Sequence, residues 1–392
     1  MSSYNEYQKL EQELNKKEQK SLIRKLETIQ SKRRGYIKIN GKELADFSSN
    51  DYLGLSNHEA LIRSSKKALD KLGCGSGASR LMSGDLKVFH DLEKKLSEHS
   101  GKEAALLFGC GYMANIGIIS SLMSRKDCIF ADKLVHASIL DGIQLSRAKL
   151  FRFNHNDLEH LEFLLKSQRH KFNKALIIVE SIYSMDGDTA PLNQLALLKE
   201  KYNAFFMVDE AHAVGILGIK GRGLIEASLR KSVDIIVGTF GKAYGSYGAY
   251  AASNLILKKT LINKARPFIF STGLPPHVAQ ANLEAVKIAE NMDSDREKVA
   301  SLSNTFRKIL QEKSNLSCIG AHHIIPVIVG SSEKALELQH RLNQSGFYVK
   351  AIRPPTVPKN SARLRVSITA NHSLQTVTAL AEAIIKHAME IY

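Results

Sequence analysis

No apolar run in this chain approaches the length of a membrane span, and there is no internal repeat and no low-complexity segment. No membrane-spanning helix is therefore expected. The cysteines number only four, Cys74, Cys110, Cys128 and Cys318. None forms a Cys-x-x-Cys pair and no His-rich spacing accompanies them, so free thiols in a reducing compartment are expected and no metal site is. The N-terminus has no apolar signal core and is dense in Lys and Glu, which predicts a cytoplasmic protein. No basic block is interleaved with aromatics, so nucleic acid is not an expected partner. No Gly-x-x-x-x-Gly-Lys-[Ser/Thr] loop exists either. Without it, Asp209-Glu210-Ala211-His212 does not read as the second nucleotide motif of a helicase.

What is present fits an ordinary globular enzyme. The 392 residues are 44% hydrophobic and 24% charged, enough for a sizeable core in one large domain with smaller additions. The formal charge is +16, from 55 Lys+Arg against 39 Asp+Glu. An excess of that sign suits anionic metabolites or an acidic carrier protein.

Helical spacing of Leu10, Leu14, Leu22, Leu26 and Ile29 predicts a charged amphipathic helix over 4–34. A short hairpin around Asn40-Gly41 follows, then a polar loop over 48–55. From about residue 60 to 250, apolar runs alternate with helical stretches. The runs are 104–108, 128–131, 175–179, 204–208 and 235–237. This βαβ patterning predicts an α/β fold whose mostly parallel sheet is flanked by helices. Beyond about 280 the pattern changes to a helix near 279–291, strands near 324–329, 348–352 and 363–368, and a closing helix over 374–391, a smaller α+β domain. The expected division is 1–50 (N-terminal helix and hairpin), 51–280 (large domain) and 281–392 (small domain).

Chemistry in such sheets gathers at the carboxyl ends of the strands. Lys242 lies just past one such end, in Thr239-Phe240-Gly241-Lys242-Ala243-Tyr244-Gly245, and Asp209 and His212 lie past another. Gly111, His136 and Ser184 occupy comparable positions. An amine among glycines is placed to condense with an aldehyde, and a carboxylate can hold a pyridine nitrogen protonated, so the set fits pyridoxal phosphate (PLP). An imidazole at His136 suits stacking on a planar ring and proton donation near neutral pH. Gly73-Cys74-Gly75-Ser76-Gly77-Ala78-Ser79-Arg80 reads equally as a turn or as a loop bordering the site. In Arg363-Leu364-Arg365 a guanidinium is available to clamp a carboxylate.

Gly109-Cys110-Gly111-Tyr112-Met113-Ala114 also matches the Gly-x-Gly-x-x-Ala dinucleotide pattern, with Asp132 21 residues beyond Gly111. An NAD-dependent oxidoreductase is the reading it would support. That reading gives Lys242, Asp209 and His212 no task. Glycines at a helix N-terminus serve any phosphate, including that of PLP.

The motifs Phe47-Ser48-Ser49-Asn50-Asp51-Tyr52-Leu53-Gly54-Leu55, Glu180-Ser181-Ile182-Tyr183-Ser184-Met185-Asp186-Gly187-Asp188, Val208-Asp209-Glu210-Ala211-His212, Thr239-Phe240-Gly241-Lys242 and Ala351-Ile352-Arg353-Pro354-Pro355-Thr356-Val357-Pro358 resemble those of the α-oxoamine synthase family of fold-type-I PLP-dependent transferases. The resemblance spans nearly the whole chain. It implies decarboxylative condensation of L-alanine with a pimeloyl thioester, on CoA or acyl carrier protein, by a cytoplasmic homodimer in biotin biosynthesis. A sister activity of the glycine C-acetyltransferase type is the near alternative. It further implies that Lys242 forms the Schiff base and moves the Cα proton, Asp209 pairs the pyridine nitrogen, and His136 stacks on the ring. His212 and Ser184 would approach the ring hydroxyl. Gly111 and Tyr112 would border the cofactor, and Thr239 would hold its phosphate with Ser271 and Thr272 of a neighbouring subunit. Arg365 and Asn50 would meet the amino-acid carboxylate, and Arg24 and Thr356 the acyl substrate. Glu210, Tyr244 and Tyr247 depart from the pattern most often seen beside those motifs, and the two tyrosines are expected to bear on the pocket.

Overall fold

A computed structural model of the protein describes residues 2–391. The chain begins with the helix Ser2–Gln19, then strands β1 (Ser31–Arg33), β2 (Tyr36–Ile39) and β3 (Lys42–Asp46). Seven strands follow: β4 (Ala104–Phe108), β5 (Cys128–Asp132), β6 (Lys149–Phe153), β7 (Ala175–Glu180), β8 (Phe205–Asp209), β9 (Ile235–Thr239) and β10 (Ala249–Ser253). The last four are β11 (Ile324–Gly330), β12 (Phe347–Tyr348), β13 (Ala351–Ile352) and β14 (Ala362–Ser367). Contacts divide the protein into two units. One comprises Asn50–Ser184 and Asp188–Glu297. The other comprises the chain up to Ser49, Met185–Gly187, and the chain from Lys298 onward.

The first unit is built on a seven-stranded sheet in the order β4-β10-β9-β8-β7-β5-β6. Only β10 runs antiparallel, paired to β4 on one side and β9 on the other. The central strands are apolar without alternation because both faces are covered: every residue of β4, β5, β7, β9 and β10 is buried. Phe206, Met207 and Val208 of β8 are fully buried, each contributing about 1.5–3 kcal/mol of burial free energy. Register aligns Glu180 of β7 with Asp209 of β8, and Asp209 with Val237 of β9. The carboxyl ends of β7, β8 and β9 therefore share one edge, and the loops after them carry Ser184, His212 and Lys242.

The other unit holds two smaller sheets, β1-β2-β3-β12 and β11-β14-β13. β2 and β3 form a hairpin across Asn40-Gly41, with Ile39 opposite Lys42. The helices Ser332–Gln344 and Leu374–Ile391 belong to this unit, the latter burying Val377, Leu380, Ala381, Ile384 and Ile385. Among the described residues, no helix is long and apolar enough to cross a membrane.

The single helix expected over 4–34 is not found. It stops at Gln19, Ser21 takes a φ of 54°, and the chain lacks regular structure until β1. Arg353 explains the break, since its guanidinium donates to the carbonyls of Ser21 and Ile23 that a continuing helix would use. Leu10 and Leu14 remain about half exposed, so burial does little to favour continuation.

Candidate active site

Lys242 sits in the tight connection between β9 and β10. The Phe240 N–H donates to the Gly248 carbonyl (2.9 Å), and the Ser246 N–H donates to the Phe240 carbonyl (2.8 Å). Gly245 turns the chain at φ +63°, and a Cβ there would lie 2.2 Å from the Ser56 nitrogen. Only glycine fits that approach. Lys242 itself is half-buried.

Asp209 closes β8 and is 6% exposed. Its Oδ1 accepts from the Ala211 N–H at 2.9 Å, and its Oδ2 accepts from Asn115 Nδ2 at 2.9 Å. Asn115 Nδ2 also reaches Ser138 Oγ (2.9 Å), which in turn lies 2.8 Å from His136 Nδ1. Burial lowers the affinity of His136 for a proton, Asp209 opposes that, and Lys242 reinforces it. Tyr112 stands edge-on to His136, with ring centroids 6.3 Å apart, and its hydroxyl donates to Asp141.

Glu180, the last residue of β7, is buried. Its carboxyl is raised above the usual carboxylate range, chiefly by burial and then by Asp209, while Lys242 and the backbone N–H groups of His136 and Ser184 pull the other way. Past β8, His212 is 6% exposed, and its Nδ1 lies 2.7 Å from the Tyr52 hydroxyl. That hydroxyl donates to Asn50 Oδ1 at 3.0 Å, so it accepts from His212. The sequence-predicted residues Lys242, Asp209, His136, His212, Ser184, Gly111, Tyr112, Thr239 and Asn50 thus all belong to the sheet unit.

The helix Gly111–Leu122 follows β4 and has no side-chain cap at Cys110. Its first N–H groups and dipole favour an anion. A Cβ at Gly111 would lie 2.8 Å from Thr239 Cγ2, so the helix start and the end of β9 meet. The Thr239 hydroxyl is buried and has no hydrogen-bond partner. An orphaned hydroxyl beside an uncapped helix start is an anion cradle, and it fits the phosphate of PLP. Ser271 and Thr272 lie on the loop after the short helix Arg266–Ile269 in this same unit, where Thr272 bridges to Ser79.

The remaining predicted residues belong to the other unit and are described within it. Arg24 Nη2 donates to Thr356 Oγ1 at 3.0 Å, and both line a cavity with Lys350 and Arg353. Arg365 and Arg363 occupy the middle strand of the small sheet and are 7% and 4% exposed. Arg363 donates to Asp186 Oδ1 (2.6 Å), whereas Arg365 donates to Ser367 Oγ (2.9 Å).

Several rival readings meet direct geometric answers. Asp132, the acidic residue a dinucleotide site would need, is fully buried. It accepts from the N–H groups of Leu134 (2.8 Å) and Asn156 (2.9 Å) and pairs with His155. Glu210 turns inward to accept from the N–H groups of Leu224 (2.7 Å) and Ile225 (3.3 Å), and burial raises its carboxyl to about 7. Tyr244, expected to bear on the pocket, is fully buried, and its hydroxyl meets His99 Nε2 at 3.2 Å. Tyr247 is 56% exposed. Gly73–Arg80 is anchored through Arg80, which pairs with Asp85 (2.7 Å) and with the buried Glu93.

Sequence reasoning assigned nothing to Asn115, Ser138, Tyr52 or the Glu180 side chain. Asn115 is four residues beyond Gly111, one helical turn along, and Ser138 is two beyond His136. Those offsets were the available signal.

Comparison with known proteins places this geometry among relatives. The family described as aminotransferase class I and II matches residues 42–384. A Geobacter sulfurreducens protein named 8-amino-7-oxononanoate synthase is 42% identical over 363 residues, 92% of this chain and 93% of its own length. The solved serine palmitoyltransferase of S. paucimobilis with bound PLP–myriocin aldimine superposes with a TM-score of 0.91 at 29% identity, covering 99% of this chain and 98% of that one. The 8-amino-7-oxononanoate synthase of Francisella tularensis gives a TM-score of 0.76 at 30% identity, covering 88% and 98%.

Proposed function

The chain belongs to the class I and II aminotransferase family, and from that premise we propose that it condenses L-alanine with a pimeloyl thioester, on CoA or acyl carrier protein. The products are 8-amino-7-oxononanoate, CO₂ and the free thiol carrier, and the reaction belongs to biotin biosynthesis. The protein is a PLP-dependent acyltransferase. The observation that carries the reading is one lysine and one buried, doubly hydrogen-bonded carboxylate at neighbouring strand ends, on a chain 42% identical to a named 8-amino-7-oxononanoate synthase.

PLP bound there would supply an electron sink for the substrate's Cα. Lys242 would hold the group covalently and would serve as the base and acid at Cα. Asp209 keeps a proton on the pyridine nitrogen, its charge held by Asn115 and the Ala211 N–H. The start of Gly111–Leu122 and the Thr239 hydroxyl take the phosphate. With PLP bound, His136 and Tyr112 would border the ring, and His212 and Ser184 would be the groups available to its hydroxyl. Arg365 and Asn50 bind the amino-acid carboxylate, and Arg24 and Thr356 the acyl substrate. The working form is a cytoplasmic homodimer in which Ser271 and Thr272 reach the phosphate of the partner's site.

A sister activity with another amino acid is favoured by one observation, the TM-score of 0.91 to a serine palmitoyltransferase. The test is a panel of L-alanine, glycine and L-serine, each with pimeloyl-CoA, pimeloyl-acyl carrier protein and acetyl-CoA, scored by product mass and released thiol. The reading expects turnover of L-alanine with a pimeloyl donor. Selective turnover of glycine with acetyl-CoA, or of L-serine, rejects it.

A further inference from the structure

The strongest unassigned feature is a continuous hydrogen-bonded chain beneath the site, Asp209–Asn115–Ser138–His136. Asn115 and Ser138 are 2% and 0% exposed, so water does not compete for their polar atoms. We infer that Asn115 and Ser138 are positioning residues that couple the Asp209 carboxylate to His136 and fix His136 as the neutral tautomer with its proton on Nε2.

The direction of every proton follows from the donors and acceptors. An ionised carboxylate only accepts, so Asn115 must present Nδ2, not Oδ1, to Asp209 Oδ2 at 2.9 Å. The second N–H of the same nitrogen then points to Ser138 Oγ, also 2.9 Å away. Ser138 Oγ accepts there, and its own proton is left for His136 Nδ1 at 2.8 Å. Nδ1 is also the acceptor for the Ser138 backbone N–H at 3.2 Å, because His136 caps the helix Ala137–Ser146. Two donors converge on Nδ1, so it carries a lone pair and the ring proton lies on Nε2. Protonating Nδ1 would remove the acceptor for the Ser138 N–H and, in the imidazolium, place positive charge at a helix N-terminus, where the dipole opposes it. The Asn115 Oδ1 atom has no partner, a cost accepted to keep the amide facing the carboxylate.

The tautomer is a property of the protein alone; the effect on cofactor binding rests on the proposed function. The direct experiment is a long-range ¹H–¹⁵N correlation of the histidine rings in cofactor-free protein at neutral pH, with His136 assigned through His136→Gln. The expected spectrum shows an unprotonated Nδ1 and a protonated Nε2. Ser138→Ala should move the Nδ1 signal toward a mixture of tautomers, and Ser138→Thr should restore it. A wild-type His136 that is imidazolium or carries its proton on Nδ1 overturns the inference, as does a Ser138→Ala spectrum identical to wild type. Should Ser138→Ala not fold, the wild-type spectrum alone decides. In a PLP titration, Asn115→Leu should weaken binding roughly tenfold, since one hydrogen bond to a charged group is lost. Unchanged affinity removes Asn115 from the relay. Absence of PLP binding by the wild type refutes the proposed function and leaves the tautomer result standing.

Discussion

His155 offers the sharpest test of how the loop bearing Ser184 is held. Its Nδ1 lies 3.0 Å from Asp132 Oδ1 and its Nε2 lies 2.7 Å from Asp188 Oδ2. Ionised carboxylates only accept, so both ring nitrogens donate and the ring is an imidazolium. Burial opposes that charge, but the hydrogen bonds and charges of Asp132 and Asp188 outweigh it and raise His155 from 6.5 to about 10. The full gap at ~1.36 kcal/mol per pH unit would approach 5 kcal/mol. The side chain is 25% exposed, and screening reduces this to about 2 kcal/mol. The sign follows from linkage. The proton affinity is higher in the folded state, so the stabilisation is complete below pH 6.5 and is lost as pH rises through about 10. The perturbation is His155→Gln, which leaves Asp132 buried without its cation. Urea unfolding of both proteins at pH 7 should show the variant less stable by about 2 kcal/mol. At pH 10.5 the gap should shrink by more than half, lysine and tyrosine titration being common to both proteins. A gap that is the same at both pH values refutes the ion-pair argument.

Two further predictions concern the lysine connection and the carboxylate. Gly245→Ala places a Cβ 2.2 Å from the Ser56 nitrogen and 2.5 Å from the Leu55 carbonyl carbon at a φ of +63°, and should cost about 3 kcal/mol or more. An unchanged denaturation midpoint contradicts the close approach. Asp209→Ala should lower kcat/KM for L-alanine by roughly 100- to 1000-fold, the scale of losing one preorganised electrostatic group. Absorbance should still report PLP attached at Lys242. Retention of more than a tenth of wild-type kcat/KM argues against the role of Asp209.

The strand-end pattern made much of this legible in advance. The apolar runs at 175–179, 204–208 and 235–237 are central strands buried on both faces, and their register puts the residues that follow them at one edge of the sheet. β10 was less visible. Ala249–Ser253 is short and alanine-rich, and its place between β4 and β9 is set by tertiary pairing. The N-terminal helix was overextended because periodicity cannot see Arg353, more than 300 residues away, taking the carbonyls of Ser21 and Ile23. The relay through Asn115 and Ser138 escaped for a similar reason. A polar residue on a largely apolar helix gives no sign of its partner until the sheet brings Asp209, 94 residues on, beside it. His155, Asp132 and Asp188 likewise become a unit only when the loops after β5, β6 and β7 converge.

The covalent anchor is the claim on which the reading stands. Purified protein incubated with PLP, reduced with borohydride, digested and mapped by mass spectrometry tests it most directly. A phosphopyridoxyl adduct confined to Lys242 and abolished in Lys242→Ala is the expected result. An adduct on a different lysine, or none under conditions in which the protein turns over L-alanine, would contradict it.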